Sequence, residues 1–204
     1  MAGCLIAFEG IDGSGKSTQV KRLASALRSA HHPVCVTREP TDGEYGRTIR
    51  ALSTRGAKIS LQEELELFEK DRREHVDGLI APALERGEVV ITDRYFLSTA
   101  AYQGARGLDG DAILRSHEGL FPIPDAVFFI DVPVGAALLR VEARGEEKNQ
   151  AYEKRDFLED VASRFRAFER DYIYAVAGEG SESEVHAAVC DHFIRGRGLP
   201  DLQP

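Results

Sequence analysis

The chain reads as an α/β protein built on a doubly wound, five-stranded parallel sheet with helices on both faces. Three observations lead there. A short apolar run, Leu5 to Phe8, ends at Gly10 and passes through a glycine-rich turn into Val20, Leu23, Ala24 and Leu27, which recur at helical spacing. Two later runs, Val89-Val90-Ile91-Thr92 and Ala126-Val127-Phe128-Phe129-Ile130, are almost wholly apolar. That is the pattern of strands covered on both faces of a parallel sheet. Finally, helical patterns separate successive strand-like runs, so right-handed crossovers are expected throughout. With 204 residues the chain suits one domain, 1–204, with a substantial core. No repeat, low-complexity segment or linker divides it.

The first turn carries the most chemistry. Gly10-Ile11-Asp12-Gly13-Ser14-Gly15-Lys16-Ser17, followed by Thr18, has the Gly-x-x-x-x-Gly-Lys-Ser spacing between a strand and a helix. Glycines let the backbone N–H groups converge on phosphate, and the helix start adds positive potential. Lys16 can reach the β- and γ-phosphates of a nucleotide, and Ser17 offers a hydroxyl to Mg²⁺. Gly10, Gly13 and Gly15 do not match the dinucleotide-binding spacing Gly-x-Gly-x-x-Gly.

His31-His32-Pro33 ends the first helix and reads as a solvated turn, after which Val34-Cys35-Val36-Thr37 is a second strand. Arg38-Glu39-Pro40 closes it and leads into a loop rich in Gly and Asp. Ser60-Leu61-Gln62-Glu63 is a capping box. One long helical region follows, closed by Gly87, with Leu61, Leu65, Phe68, Arg72, Val76, Leu79, Ile80 and Ala83 on one face. An arginine within that apolar stripe is unusual. The third strand, Val89 to Thr92, ends in Asp93-Arg94-Tyr95. Helices are expected from about Leu97, over about Gly110 to Phe121, from Gly135 to Arg144 and from about Arg155 to Arg170. The fourth strand, Ala126 to Ile130, ends at Asp131, and Tyr172 to Val176 is the fifth. A polar segment, Gly145 to Glu153, has little to bury. Ser181-x-x-Glu184 caps the last helix, where Val185, Ala188, Val189 and Phe193 share a face.

Composition narrows the function. A formal charge of −8 argues against a nucleic-acid partner, which favours a basic face. Cys4, Cys35 and Cys190 stand far apart in apolar segments and read as buried free thiols. No signal peptide opens the chain and no apolar run reaches membrane length, so a cytoplasmic protein with no membrane partner is expected.

In a doubly wound sheet, ligands bind beyond the carboxyl ends of the strands. That places Asp12 and Lys16, Arg38 and Glu39, and Asp93 and Arg94 at one edge. A nucleotide on the loop accounts for Lys16, Ser17 and a Mg²⁺-directing aspartate. It leaves Arg38, Arg94 and Arg72 over. Guanidinium groups suit bidentate phosphate contacts, so a second anionic substrate opposite the first is expected.

Phe8-Glu9-Gly10-Ile11-Asp12-Gly13-Ser14-Gly15-Lys16-Ser17-Thr18, Thr37-Arg38-Glu39-Pro40, Leu67-Phe68-x-x-Asp71-Arg72, Asp93-Arg94-Tyr95-x-x-Ser98-x-x-Ala101-Tyr102-Gln103 and Ile130-Asp131-Val132-Pro133 occur in this order. In these blocks the chain resembles the bacterial thymidylate kinases, from the first strand to the last helix. The resemblance implies a three-layer P-loop kinase fold with a short lid, at about 144–155, and a homodimer. It implies Mg²⁺- and ATP-dependent phosphorylation of dTMP to dTDP for dTTP biosynthesis, with Gly10 to Thr18 holding ATP. Arg38 and Arg94 would hold the dTMP phosphate. Phe68 would stack on thymine, with plain core packing as the alternative. Arg72 would bond its exocyclic oxygen, Ser98, Thr99 and Gln103 would line the base, and Tyr102 would favour deoxyribose. Asp12 would meet the 3′-hydroxyl or a Mg²⁺-bound water. Glu39 and Asp93 would join Ser17 on the metal side.

A phosphate monoester, with a second pKa near 6, is mostly a dianion at pH 7, so the acceptor needs no strong base. Alignment and charge stabilisation then carry the reaction, and Lys16, Asp12 and Arg94 are the catalytic expectations. The loop has the uncharged Ser14 where one family branch carries a basic residue. The missing cation would come from the lid, where Arg144 and Lys148 are the candidates and Arg155 is near. Two rivals remain. A deoxynucleoside kinase would leave Arg38 and Arg94 without a phosphate. A nucleotide-dependent switch would leave the carboxylates and lid unexplained, and no Asn-Lys-x-Asp guanine motif is present.

Overall fold

A computed structural model describes residues 3–55, 59–143 and 151–197. Five parallel strands form one sheet in the order β2-β3-β1-β4-β5. They are β1 (Cys4–Glu9), β2 (Val34–Arg38), β3 (Val89–Asp93), β4 (Ala126–Asp131) and β5 (Ile173–Ala177). Alternation along the strands divides the core in two. On one face Cys4, Ile6, Phe8, Val89, Ile91, Ala126, Phe128 and Ile130 pack under α1 (Lys16–Ser29) and α9 (Glu182–Arg197), against Val20, Leu23, Leu27, Val185 and Val189. On the other, Leu5, Ala7, Val90, Val127 and Phe129 meet Phe96, Leu97, Ala100, Leu158, Val161 and Phe165. These come from α5 (Phe96–Ala105) and α8 (Ala151–Ala167). The three layers and the five parallel strands match the expected architecture, and β1 lies at the centre of the sheet.

Two stretches depart from the sequence reading. The loop expected after Pro40 contains α2 (Glu44–Arg55). Of its residues Ile49 is buried, so its apolar signal is thin, and Gly46 interrupts it. That glycine is needed for contact: a Cβ there would lie 2.0 Å from the Thr41 carbonyl oxygen. The long helix expected from Ser60 to Gly87 is three pieces: α3 (Leu61–His75), a π-turn at Val76–Ile80 and α4 (Ala81–Glu85). Pro82 explains the break. It has no N–H and its ring crowds the carbonyl four residues back, so the wider turn relieves an α-helical clash.

The capping box at Ser60 forms as expected, with Ser60 Oγ accepting from Glu63 N–H and Glu63 returning to Ser60 N–H. Two more helices, α6 (Gly110–Leu120) and α7 (Val134–Glu142), complete the chain order. Helix α7 stops two residues before Arg144, and α8 starts at Ala151, four residues before the expected Arg155. Among the described residues no helix is long and apolar enough to cross a membrane.

Candidate active site

The strand ends gather the charged residues as a doubly wound sheet demands. Gly15, at φ 104°, precedes the first helical residue, Lys16, a conformation natural to glycine. Gly13 is fixed by proximity as well: a Cβ there would stand 2.2 Å from the Ala137 carbonyl oxygen of α7. Lys16 is buried and its Nζ donates to the Ile11 carbonyl at 2.9 Å. Burial, and then the Arg94 charge, pull its pKa down to about 7, against Asp12, Asp93 and Glu9, which favour the cation. Ser17 Oγ donates to Asp93 Oδ2. Arg140, which the sequence reading passed over, reaches from α7 to the Gly13 and Ser14 carbonyls at 3.5 and 3.3 Å and to Gly178 at 3.0 Å.

Arg94 is the joint of the site. Its φ of 74° lies in the left-handed region, uncommon for a residue with a side chain. Its backbone N–H donates to Phe8 and its carbonyl accepts from Thr92 Oγ1. The guanidinium donates to Asp12 Oδ1 at 2.5 Å, Ser98 Oγ at 2.8 Å and the Gly10 carbonyl at 3.1 Å, and lies 5.3 Å from the Tyr102 ring centre. Burial opposes its charge, but Tyr102, Asp12, Glu9 and Asp93 hold it above the usual arginine range. Arg38, paired with Asp93 in the β2–β3 register, extends into solvent and grips both oxygens of Asp42 at 2.9 and 3.0 Å.

Two cavities meet here. One of about 310 Å³ is lined by Asp12, Gly13, Gly15, Lys16, Ser17, Thr18, Arg38, Glu39, Asp93 and Arg94. The other, about 630 Å³, is lined by Phe68, Arg72, Tyr95, Ser98, Thr99, Tyr102 and Gln103, and shares Asp12, Glu39 and Arg94 with the first. Phe68 is half-buried on the wall of that cavity. The Tyr95 hydroxyl and Gln103 Oε1 are buried with no hydrogen-bond partner among the described residues, polar atoms available to a ligand.

Arg72 is 1% exposed and heavily anchored. Nε and Nη2 donate to Glu39 Oε2 at 3.0 and 2.6 Å, Nη2 also to Thr99 Oγ1 at 2.9 Å, and Nη1 to His117 Nδ1 at 3.1 Å. Glu39 Oε1 lies 3.0 Å from His75 Nδ1, whose Nε2 is 2.7 Å from Thr37 Oγ1. Burial alone would raise the Glu39 pKa, but Arg72 and His75 hold it below the usual carboxylate range. Glu39, expected on the metal side, also lines the loop cavity with Ser17 and Asp93. Both of its oxygens are engaged by Arg72 and His75, so it anchors the arginine.

The buried partners of the site were the part the sequence concealed. Glu9, at the end of β1, accepts from the N–H groups of Tyr95 and Ser98 and from Ser98 Oγ. Asp71 holds the loop after β2 through the Thr41 N–H and hydroxyl. Arg72 in an apolar stripe signals a buried counter-ion, but nothing in sequence names Glu39, His75 or His117. The lid candidates Arg144 and Lys148 lie outside the described residues.

The donors at the loop suit Mg²⁺, a hard cation bound through one or two protein oxygens together with substrate phosphates and water. Ser17 and Asp93 supply such oxygens on one wall, and no group of three His, Cys, Asp or Glu side chains forms a metal cage among the described residues.

Comparison with known proteins agrees with this geometry. The family model described as Thymidylate kinase matches residues 8–189. A thymidylate kinase of Desulfotalea psychrophila is 49% identical over 84% of this chain and 84% of its own length. One from Akkermansia muciniphila is 44% identical over 92% of this chain and 89% of its own, and one from Xanthomonas campestris 46% over 82% and 72%. With the family model covering most of its length and relatives this similar, the chain belongs to the thymidylate kinase family.

Proposed function

We propose that the protein transfers the γ-phosphoryl group of ATP to dTMP, giving ADP and dTDP. The observation that carries this reading is Arg94. One guanidinium closes both cavities, so an acceptor phosphate held by it stands opposite the nucleotide loop. The smaller cavity takes the ATP phosphates on Gly10 to Thr18, and the larger takes the deoxyribose and base.

Arg94, with Arg38 after it leaves Asp42, neutralises the acceptor phosphate. That phosphate, with a second pKa near 6, is a dianion at neutral pH and attacks without a base. Asp12 orients Arg94 and faces the sugar 3′-hydroxyl. Lys16 is poised beside the β- and γ-positions, and the phosphates it meets restore the charge that burial weakens. Ser17 and Asp93 would hold Mg²⁺, which would supply charge neutralisation at the transferring group. Phe68 covers the base, Arg72 meets its exocyclic oxygen, and Ser98, Thr99 and Gln103 complete its edge, with Tyr102 against the sugar. A lid at about 144–155, with Arg144 and Lys148, supplies the remaining cation. The domain is taken as one unit, 1–204, working as a homodimer.

An ADP-release assay with ATP and Mg²⁺ across dTMP, dUMP, UMP, CMP and thymidine tests the reading. Turnover should be best with dTMP. Equal or better turnover of thymidine would reject a monophosphate acceptor.

A further inference from the structure

A guanidinium has five N–H donors and no acceptor. Four of those on Arg72 are spent inside the protein: two on Glu39, one on Thr99 and one on His117. The fifth, the second N–H on Nη1, has no partner among the described residues, and Arg72 lines the larger cavity. The ring of Tyr95 at 5.1 Å and that of Phe121 at 5.5 Å hold the plane of the guanidinium. Which Nη1 hydrogen is left over is decided by His117.

His117, on α6, is fully buried and far from Arg72 in sequence. Because arginine cannot accept, His117 Nδ1 must, so the ring proton sits on Nε2. From there it donates to Glu69 Oε1 at 3.1 Å. The ring is held edge-on by Phe121 and Phe96, with centres 5.5 and 6.5 Å away. Burial, then the charge of Arg72, push its pKa down to about 3, which keeps it neutral and able to accept.

We propose that His117, oriented by Glu69, is a positioning residue for base selectivity, its Nδ1 tying down one Nη1 hydrogen of Arg72 so that the other addresses a single carbonyl oxygen on the base. This rests on the reading that Arg72 meets the base. A 4-oxo pyrimidine monophosphate satisfies that donor. A 4-amino pyrimidine turns an N–H toward an N–H and leaves both unpaired, the kind of mismatch that discriminates strongly. Neither His117 nor Glu69 lines the cavity, so their influence runs through Arg72.

The test is steady-state kinetics of the full chain with dTMP and dCMP, beside a thermal melt of each variant. His117→Leu should raise KM for dTMP about tenfold and narrow the dTMP-over-dCMP preference by a similar factor, with kcat and KM for ATP little changed. His117→Asn should restore both, because its Oδ1 can stand where Nδ1 accepted. Glu69→Ala, at a half-exposed position, should move the same quantities in the same direction by about threefold. If the Leu variant does not fold, the Asn and Glu69 variants decide. Unchanged KM and preference in His117→Leu or in Glu69→Ala, or failure of Asn to restore them, overturns the proposal. Arg72→Ala separates the layers. If it disturbs dTMP use while the Leu variant does not, His117 alone loses its role. If it leaves dTMP use untouched, the base-reading role of Arg72 falls and this proposal with it.

Discussion

Lys16 sits at the start of α1 nearly sealed from water, its ammonium held by the Ile11 carbonyl at 2.9 Å. Such a cation does little for the fold, since burial already pulls its pKa to about 7. Its charge is suited to an arriving anion. Lys16→Met should keep the melting temperature while turnover falls by about 10²- to 10³-fold, the usual cost of removing one preorganised donor to a developing charge. Steady-state kinetics at saturating dTMP measures it, and a loss below tenfold would place the main charge stabiliser elsewhere. Asp93 gives the parallel expectation for the cation. With its carboxylate beside Ser17 Oγ, Asp93→Asn should raise the Mg²⁺ concentration for half-maximal rate by about tenfold or more. A titration with MgCl₂ at fixed ATP reads that shift.

Glu9 joins two elements, the end of β1 and the start of α5, where it accepts from two backbone N–H groups and the Ser98 hydroxyl. Burial raises its pKa from 4.5 to about 7, even against the Ser98 bond and the Arg94 charge. Below pH 4.5 the group is protonated in both folded and unfolded chains. From 4.5 to 7 the unfolded chain loses the proton first, so the contribution of Glu9 to stability declines by roughly 3 kcal/mol as pH rises. His117 runs the other way. Its folded pKa, pushed from 6.5 to about 3, makes stability fall as pH falls through that interval. Urea unfolding of wild type and Glu9→Gln isolates the first effect: the variant should gain relative to wild type between pH 4.5 and 7.5. Parallel profiles would mean that Glu9 ionises normally in its site. At this scale the sequence was uneven. Strands covered on both faces announced themselves, because Val89–Thr92 and Ala126–Ile130 can be buried only in a two-sided sheet. Helix α2 did not, since it buries little beyond Ile49 and carries Gly46. The break at Val76–Ile80 was hidden because the apolar stripe runs through it, although Pro82 was there to read. In the site, the loop and the strand-end charges were legible from local spacing. Glu39 and His117 around Arg72 were not, because they lie 33 and 45 positions away and only packing brings them together, and His75, one turn along α3, meets Glu39 rather than Arg72.

Across the molecule the two cavities are one device, because Asp12, Glu39 and Arg94 line both and, among the described residues, no other arginine does so. Each ligand that binds only the folded chain raises its stability by mass action, about 2.7 kcal/mol at a hundredfold excess over Kd. A chain of this size should answer with a rise in melting temperature of roughly 5–10 °C for each ligand. The geometry makes the two responses separable. Lys16 and Ser17 are held by the Ile11 carbonyl and by Asp93, and Arg94 touches the loop at the Gly10 carbonyl and Asp12, whereas in the proposed reading the acceptor phosphate rests on Arg94 itself. Arg94→Ala should therefore keep the melting shift given by a non-hydrolysable ATP analogue with Mg²⁺ and lose most of the shift given by dTMP. Because Arg94 also holds Asp12 and Ser98, the unliganded variant should melt a few degrees lower, so each shift is compared with its own unliganded baseline. Loss of both shifts together would mean that Arg94 supports the nucleotide loop itself. Retention of both would move the acceptor phosphate away from the cavity wall, toward Arg38 and Arg50 beyond the end of β2.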